Sequence, residues 1–228
     1  MNKSEYLETF NELIRPLQSR SGMVINSPFK YLASKKKLMI VGYNPGGVPD
    51  TNETTIAEDW MRHTSDENFN ALTESWGQHQ ALIAGSHPIQ KFYQAIIDST
   101  DLTEEDILYT NMYWQRSKSI ADLTIDPVLE KQCKKGFLLN LIIHQPESIC
   151  FLGHKTHDQI VKDWSELSFP CGAIDYPWGE TQSIKLYRMK FQDFRVKAFS
   201  VPHPSRFGIG NDPDRLDAIL QALDRSRS

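Results

Sequence analysis

The chain has 228 residues, of which 39% are hydrophobic and 24% charged, and its net charge is −4. That length suits one domain with a proper core. No apolar run approaches the roughly 20 residues that a bilayer-spanning helix needs, and the overall charge lacks the basic bias of most nucleic-acid-binding domains.

Three cysteines, Cys133, Cys150 and Cys171, stand far apart. Their odd number argues against a disulfide framework and their spacing against a CxxC metal pair, so a reducing cytoplasm is the expected compartment. The start, MNKSEYLETFNELIRPL, is amphipathic and has no apolar core of a signal peptide.

In chain order, Tyr6, Leu7, Phe10, Leu13 and Ile14 recur at helical spacing behind Ser4, which is read as the N-cap. KKKLMIVGYN reads as a buried strand. Residues 51–86 are polar and mixed, with Trp60, Phe69 and Trp76 but no sustained period. HPIQKFYQAIIDST reads as a helix with Pro88 in its first turn. DILYTNMYW is a second strand ending near Asn111, and a long helix starts at Pro127. SICFLGHKTHDQIVKDW is a third strand that turns through Gly153 into a helix. Residues 183–205 read as a β-ribbon whose second arm, 196–201, becomes a fourth core strand. An amphipathic helix closes the chain. Repeats and low-complexity linkers are absent, so a single domain over 1–228 is expected, with an insertion-like stretch at 51–86.

Alternating strands and helices predict a three-layer α/β/α sandwich with a short, mainly parallel sheet of about four strands. Ligands bind such sheets beyond the carboxyl ends of the strands. Asn44, Asn111, Gly153-His154 and His203 all fall there. The loop after the first strand, GYNPGG, lacks the lysine of a phosphate-binding P-loop and the spacing of a dinucleotide fingerprint. Taken alone, it reads equally well as a tight turn. The same holds for VPHPS, where two prolines fix the backbone around one histidine.

In order, however, Gly42-Tyr43-Asn44-Pro45-Gly46 after one strand, Thr110-Asn111 after the next, FLGHKTHDQ at the third and His203-Pro204-Ser205 at the last resemble the uracil-DNA glycosylase superfamily. The likeness is to its single-strand-selective and mismatch-specific branches. HPIQKFYQAI is similar to a helix of the mismatch-specific branch. Gly47-Val48-Pro49 and Asp59-Trp60 are similar to the single-strand-selective one. The resemblance covers roughly residues 38–222, with a poor match at 51–86.

It implies a monofunctional DNA glycosylase that needs no metal or cofactor. Such an enzyme flips a nucleotide out of single- or double-stranded DNA and hydrolyses its N-glycosidic bond. The expected roles are Asn44 orienting water, His203 donating to the oxyanion of the departing base, and Asn111 reading the base edge. Gly42, Tyr43, Pro45 and Gly46 would shape the substrate site. Gly47, Ser205, Arg206 and Phe207 would meet the DNA.

Two departures bear on the substrate. Gly46 stands where a tyrosine excludes thymine in the narrow uracil enzymes. The place of the usual aromatic platform holds Asp50 or Gly85-Ser86, leaving Trp60, Phe69 or Trp76 to substitute. A roomier pocket for uracil or a bulky 5-substituted pyrimidine is therefore expected, in repair or in antiviral defence against modified viral DNA. A monomer without membrane attachment is expected. The alternative readings are a silent nucleic-acid-binding or inhibitory member of the fold, and a hydrolase of free nucleosides or nucleotides.

Overall fold

The structure, a computed structural model, describes residues 2–47, 54–76, 82–164, 167–178, 182–206 and 213–227, with backbone alone for 163, 168–178 and 182. Helix α1, Lys3–Ile14, is capped by Asn2 rather than Ser4. Asn2 and Glu5 satisfy each other's backbone N–H groups at 3.0 and 2.9 Å, a reciprocal box that Ser4 has no acid at the right spacing to make.

Six strands form one sheet. They are β1 (Leu38–Gly42), β2 (Ile107–Asn111), β3 (Ser148–Leu152), β4 (Ser168–Trp178), β5 (Gln182–Phe191) and β6 (Phe194–Val201), in the spatial order β2-β1-β3-β6-β5-β4. The first four in that order run parallel, as expected. The antiparallel arms β5 and β4 extend the sheet, so the count is six rather than about four. Each of β1, β2 and β3 is buried along its whole length, the mark of strands covered on both faces.

Helices α1, α4 (Pro127–His144) and α5 (His154–Asp163) cover one face. Their apolar residues Phe10, Phe137 and Ile160 pack with Met39, Val41 and Phe151 of the strands. The segment read as irregular contains α2, Ile56–Ser65, which adds Ile56 and Trp60 to the same layer. Helices α3 (Pro88–Ser99) and α6 (Pro213–Arg227) cover the other face. There Phe92, Tyr93, Ile96, Ile219 and Leu223 meet Leu38, Ile40, Tyr109 and Val201. The molecule is thus an α/β sandwich with a mostly parallel core. Among the described residues no helix is long and apolar enough to cross a membrane.

The chain leaves β1 toward β2 on one side and later fills β3 and β6 on the other. The order therefore reverses between β1 and β3. Ligands bind open α/β sheets at such a point, beyond the carboxyl ends of the strands.

Candidate active site

Asn111 ends β2 directly beside Gly42, the last residue of β1. It shares the α3 side of the sheet with Ile107 and Tyr109, because strand residues alternate. A methyl group on Gly42 would meet Asn111 Oδ1 at 2.5 Å, so the amide lies across the glycine. Asn111 is only 4% exposed, yet its side chain has no hydrogen-bond partner among the described residues. A buried, unpartnered amide is costly unless a ligand or water satisfies it.

Beyond Gly42 the loop is stitched to the segment after β2. Asn44 Nδ2 donates to Pro45 O at 2.9 Å, Gln115 O at 3.2 Å and Ser117 Oγ at 2.8 Å. Ser117 N–H donates to Pro45 O, and an Arg116 guanidinium N–H to Gly46 O. The amide nitrogen of Asn44 is thereby spent on scaffolding. Its Oδ1, unpartnered among the described residues, is the atom left to accept from a water molecule. Gly47 has φ 110°, which a side chain would strain. Gly46 is exposed, and a Cβ there would meet nothing within 4 Å.

Tyr43 differs from its expected place at the substrate. It is 5% exposed, and its ring packs on Tyr113, 5.4 Å between centroids, in the α1/α4 layer. What it gives the loop is backbone: Tyr43 O accepts the Tyr113 N–H at 2.8 Å. One strand position separates it from Gly42, which is why it faces the opposite layer.

His203 follows β6. Its ring lies 3.6–4.0 Å from where a Cβ of Gly153 would stand, at the end of β3. Gly153 has φ 88° and turns β3 directly into α5. The turn from His203 to Arg206 is closed by the Arg206 N–H on His203 O at 2.9 Å. Within it, Ser205 presents its N–H at 3.2 Å and its Oγ at 2.7 Å to His203 Nδ1. An amide N–H only donates, so Nδ1 is the acceptor and the neutral ring carries its proton on Nε2. Burial, with the Arg206 and His87 charges nearby, lowers the His203 pKa to about 4. At neutral pH this side chain is a fixed, uncharged donor.

Ser205 and Arg206 are exposed on the same turn. Phe207, and Val48, Pro49 and Asp50 of the first loop, lie outside the described residues. Of the three candidate aromatics, Trp60 is 4% exposed between Phe10 and Phe29 on the far face, and Phe69 is 8% exposed under Arg62. Trp76 packs against the α3/α6 layer and places its ring 4.8 Å from that of His87, the N-cap of α3. Trp76 is therefore the aromatic on the site's side of the sheet. Sequence reasoning passed over His87, whose only signal was the His-Pro pair opening the helix.

A polar hollow lined by Arg20, Ser21, Gln115, Arg116, Thr124 and Asp126 adjoins the Asn44 loop. Its Arg20–Asp126 pair is closed at 2.7 Å, and it includes neither Asn111 nor His203. Cys133 and Cys150 are buried thiols pushed above their usual pKa by desolvation. Among the described residues no cluster of His, Cys, Asp and Glu could hold a metal ion. The chain matches no protein-family model and no curated protein sequence.

Proposed function

We propose that the protein is a monofunctional DNA glycosylase. It would release a flipped-out uracil or 5-substituted pyrimidine and leave an abasic site. The observation that carries this reading is the state of His203: Nδ1 is occupied by Ser205, so Nε2–H is held as a neutral donor at the edge that also bears the unpartnered Asn111 amide.

N-glycosidic cleavage develops positive charge on the sugar and negative charge on the base. A fixed donor aimed at the base oxygen binds more strongly as that charge grows, which is what lowers a barrier. A neutral imidazole donates without having to lose a proton first. The Asn111 amide offers one donor and one acceptor, matching the N3–H and O4 edge of uracil or the edge of a related pyrimidine. Asn44 Oδ1 would hold a water by one hydrogen. An amide is a poor base, so attack would follow rather than precede most of the bond breaking.

The test is a mass-spectrometric screen for bases released from DNA containing uracil, 5-hydroxymethyluracil or glycosylated hydroxymethylcytosine. His203→Ala and Asn44→Ala should each slow single-turnover release by on the order of 100-fold. Because Asn44 also ties the loop, its variant will lose some thermal stability whereas His203→Ala will not. Absence of released base from all three DNAs would overturn the assignment.

A further inference from the structure

His87 is held as firmly as His203. Its Nδ1 accepts the Ile89 N–H at 3.2 Å, and Gln90 Oε1 accepts its backbone N–H at 3.2 Å, a reciprocal cap on α3. Trp76 packs against the imidazole, and is itself pinned by its indole N–H on Ala71 O at 2.5 Å and by the Leu82 N–H on its carbonyl at 2.8 Å. With Nδ1 accepting a main-chain N–H, the neutral His87 ring is the same tautomer as His203, with its proton on Nε2. No described residue accepts from that nitrogen.

The connection from β1 through α3 to the parallel β2 sets the start of α3 at the carboxyl edge of the sheet, on the face that Asn111 shares. A protonated His87 would repel a protonated His203, which helps to lower the His203 pKa. Three polar groups thus lie along the carboxyl edge of the sheet: two imidazole N–H donors and a 96%-buried amide, all without protein acceptors among the described residues. A cluster of donors that the fold leaves unanswered calls for a ligand rich in acceptor oxygens. Two neutral imidazoles also stand close together without the repulsion of two imidazolium ions.

We propose that His87 is a second substrate contact of this site, donating Nε2–H to an anionic oxygen of the nucleotide held against His203. The inference rests on the glycosylase reading. The oxygen belongs either to the phosphate flanking the flipped nucleotide or to the departing base, and the same chemistry serves both.

His87→Asn separates contact from cap. Asparagine caps helices well and so keeps α3, but it lacks the Nε2–H. The expected result is an unchanged melting temperature with single-turnover base release slowed roughly 10- to 100-fold. If the acceptor is the phosphate, a methylphosphonate at that position brings the wild type down to the variant's rate. If it is the base, the variant's deficit persists on methylphosphonate DNA and shrinks for 5-fluorouracil, a better leaving group than uracil. Wild-type rates for His87→Asn on every substrate overturn the inference while leaving the glycosylase reading intact. Should the wild type release no base at all, that reading fails. The contact is then judged by anisotropy with an oligonucleotide carrying a tetrahydrofuran abasic analogue, and equal affinity of wild type and His87→Asn overturns it as well.

Discussion

Gly42 and Asn111 end adjacent strands, and only a hydrogen at position 42 leaves room for the amide. An added methyl would stand 2.5 Å from Asn111 Oδ1. That oxygen is the tip of a side chain with two free torsions, so the amide will swing away rather than the strands part. Alanine also costs a strand less backbone entropy than glycine. Gly42→Ala should therefore melt near the wild-type temperature and lose base release as fully as Asn111→Ala. The two changes act through one group, so the double variant should be little worse than either single one. A fully active Gly42→Ala would mean that Asn111 does not read the base.

At the scale of elements, the loop of residues 44–47 is rigid on its inner side and open on its outer side. Asn44, Pro45 and Gly46 are tied to residues 115–117, whereas a side chain on Gly46 would meet nothing within 4 Å. A tyrosine fits there without disturbing the loop, so its effect is felt by the ligand. Gly46→Tyr should penalise release of 5-hydroxymethyluracil far more than release of uracil, measured at one salt concentration because phosphate contacts are salt-dependent. Equal loss on both bases would show that Gly46 does not border the 5-substituent.

The strands carrying this loop were legible because buried parallel strands are continuous apolar runs that stop at polar loop residues, as at Asn44, Asn111 and His203. β4 was not: Pro170, Gly172 and Pro177 break the pattern, and an edge strand with register shifts tolerates them. α2 escaped because its inner face is partly polar, with Asp59 and His63 buried beside Ile56 and Trp60, although the Thr55–Glu58 capping box marked its start. His87 and Trp76 escaped for another reason. A helix cap and an aromatic from an irregular segment form a wall only once the crossover has brought them together.

The whole molecule carries several buried groups whose titration is coupled to folding. His63 is fully buried between Phe29 and Phe69, its ring nitrogens without well-formed hydrogen bonds. His144 is fully buried with Nδ1 3.2 Å from Ser34 O. Burial lowers the pKa of each to about 4, as it does for His203. These folded-state values lie below the unfolded value of about 6.5. Their contribution is therefore complete above pH 6.5 and is lost as pH falls through 4.

Asp59 opposes them. It is 5% exposed, and burial raises its pKa to about 7, so its contribution is complete below the unfolded carboxylate value of about 4 and fades as pH rises through 7. Lys36, lowered to about 8 chiefly by burial, titrates outside this window. Near pH 5 these three histidines favour proton uptake by the unfolded chain, as do His87 and His157, whose pKa burial also lowers, and one carboxyl favours uptake by the folded one. The balance lies with the unfolded chain, so stability falls on acidification, by on the order of 2 kcal/mol or more per pH unit. Urea midpoints should drop from pH 7 to pH 5. His63→Phe removes one of the three and should flatten the dependence. Asp59→Asn removes the opposing group and should steepen it. Midpoints that do not change between pH 7 and 5, or that rise, would mean that these histidines are not held neutral in the folded protein.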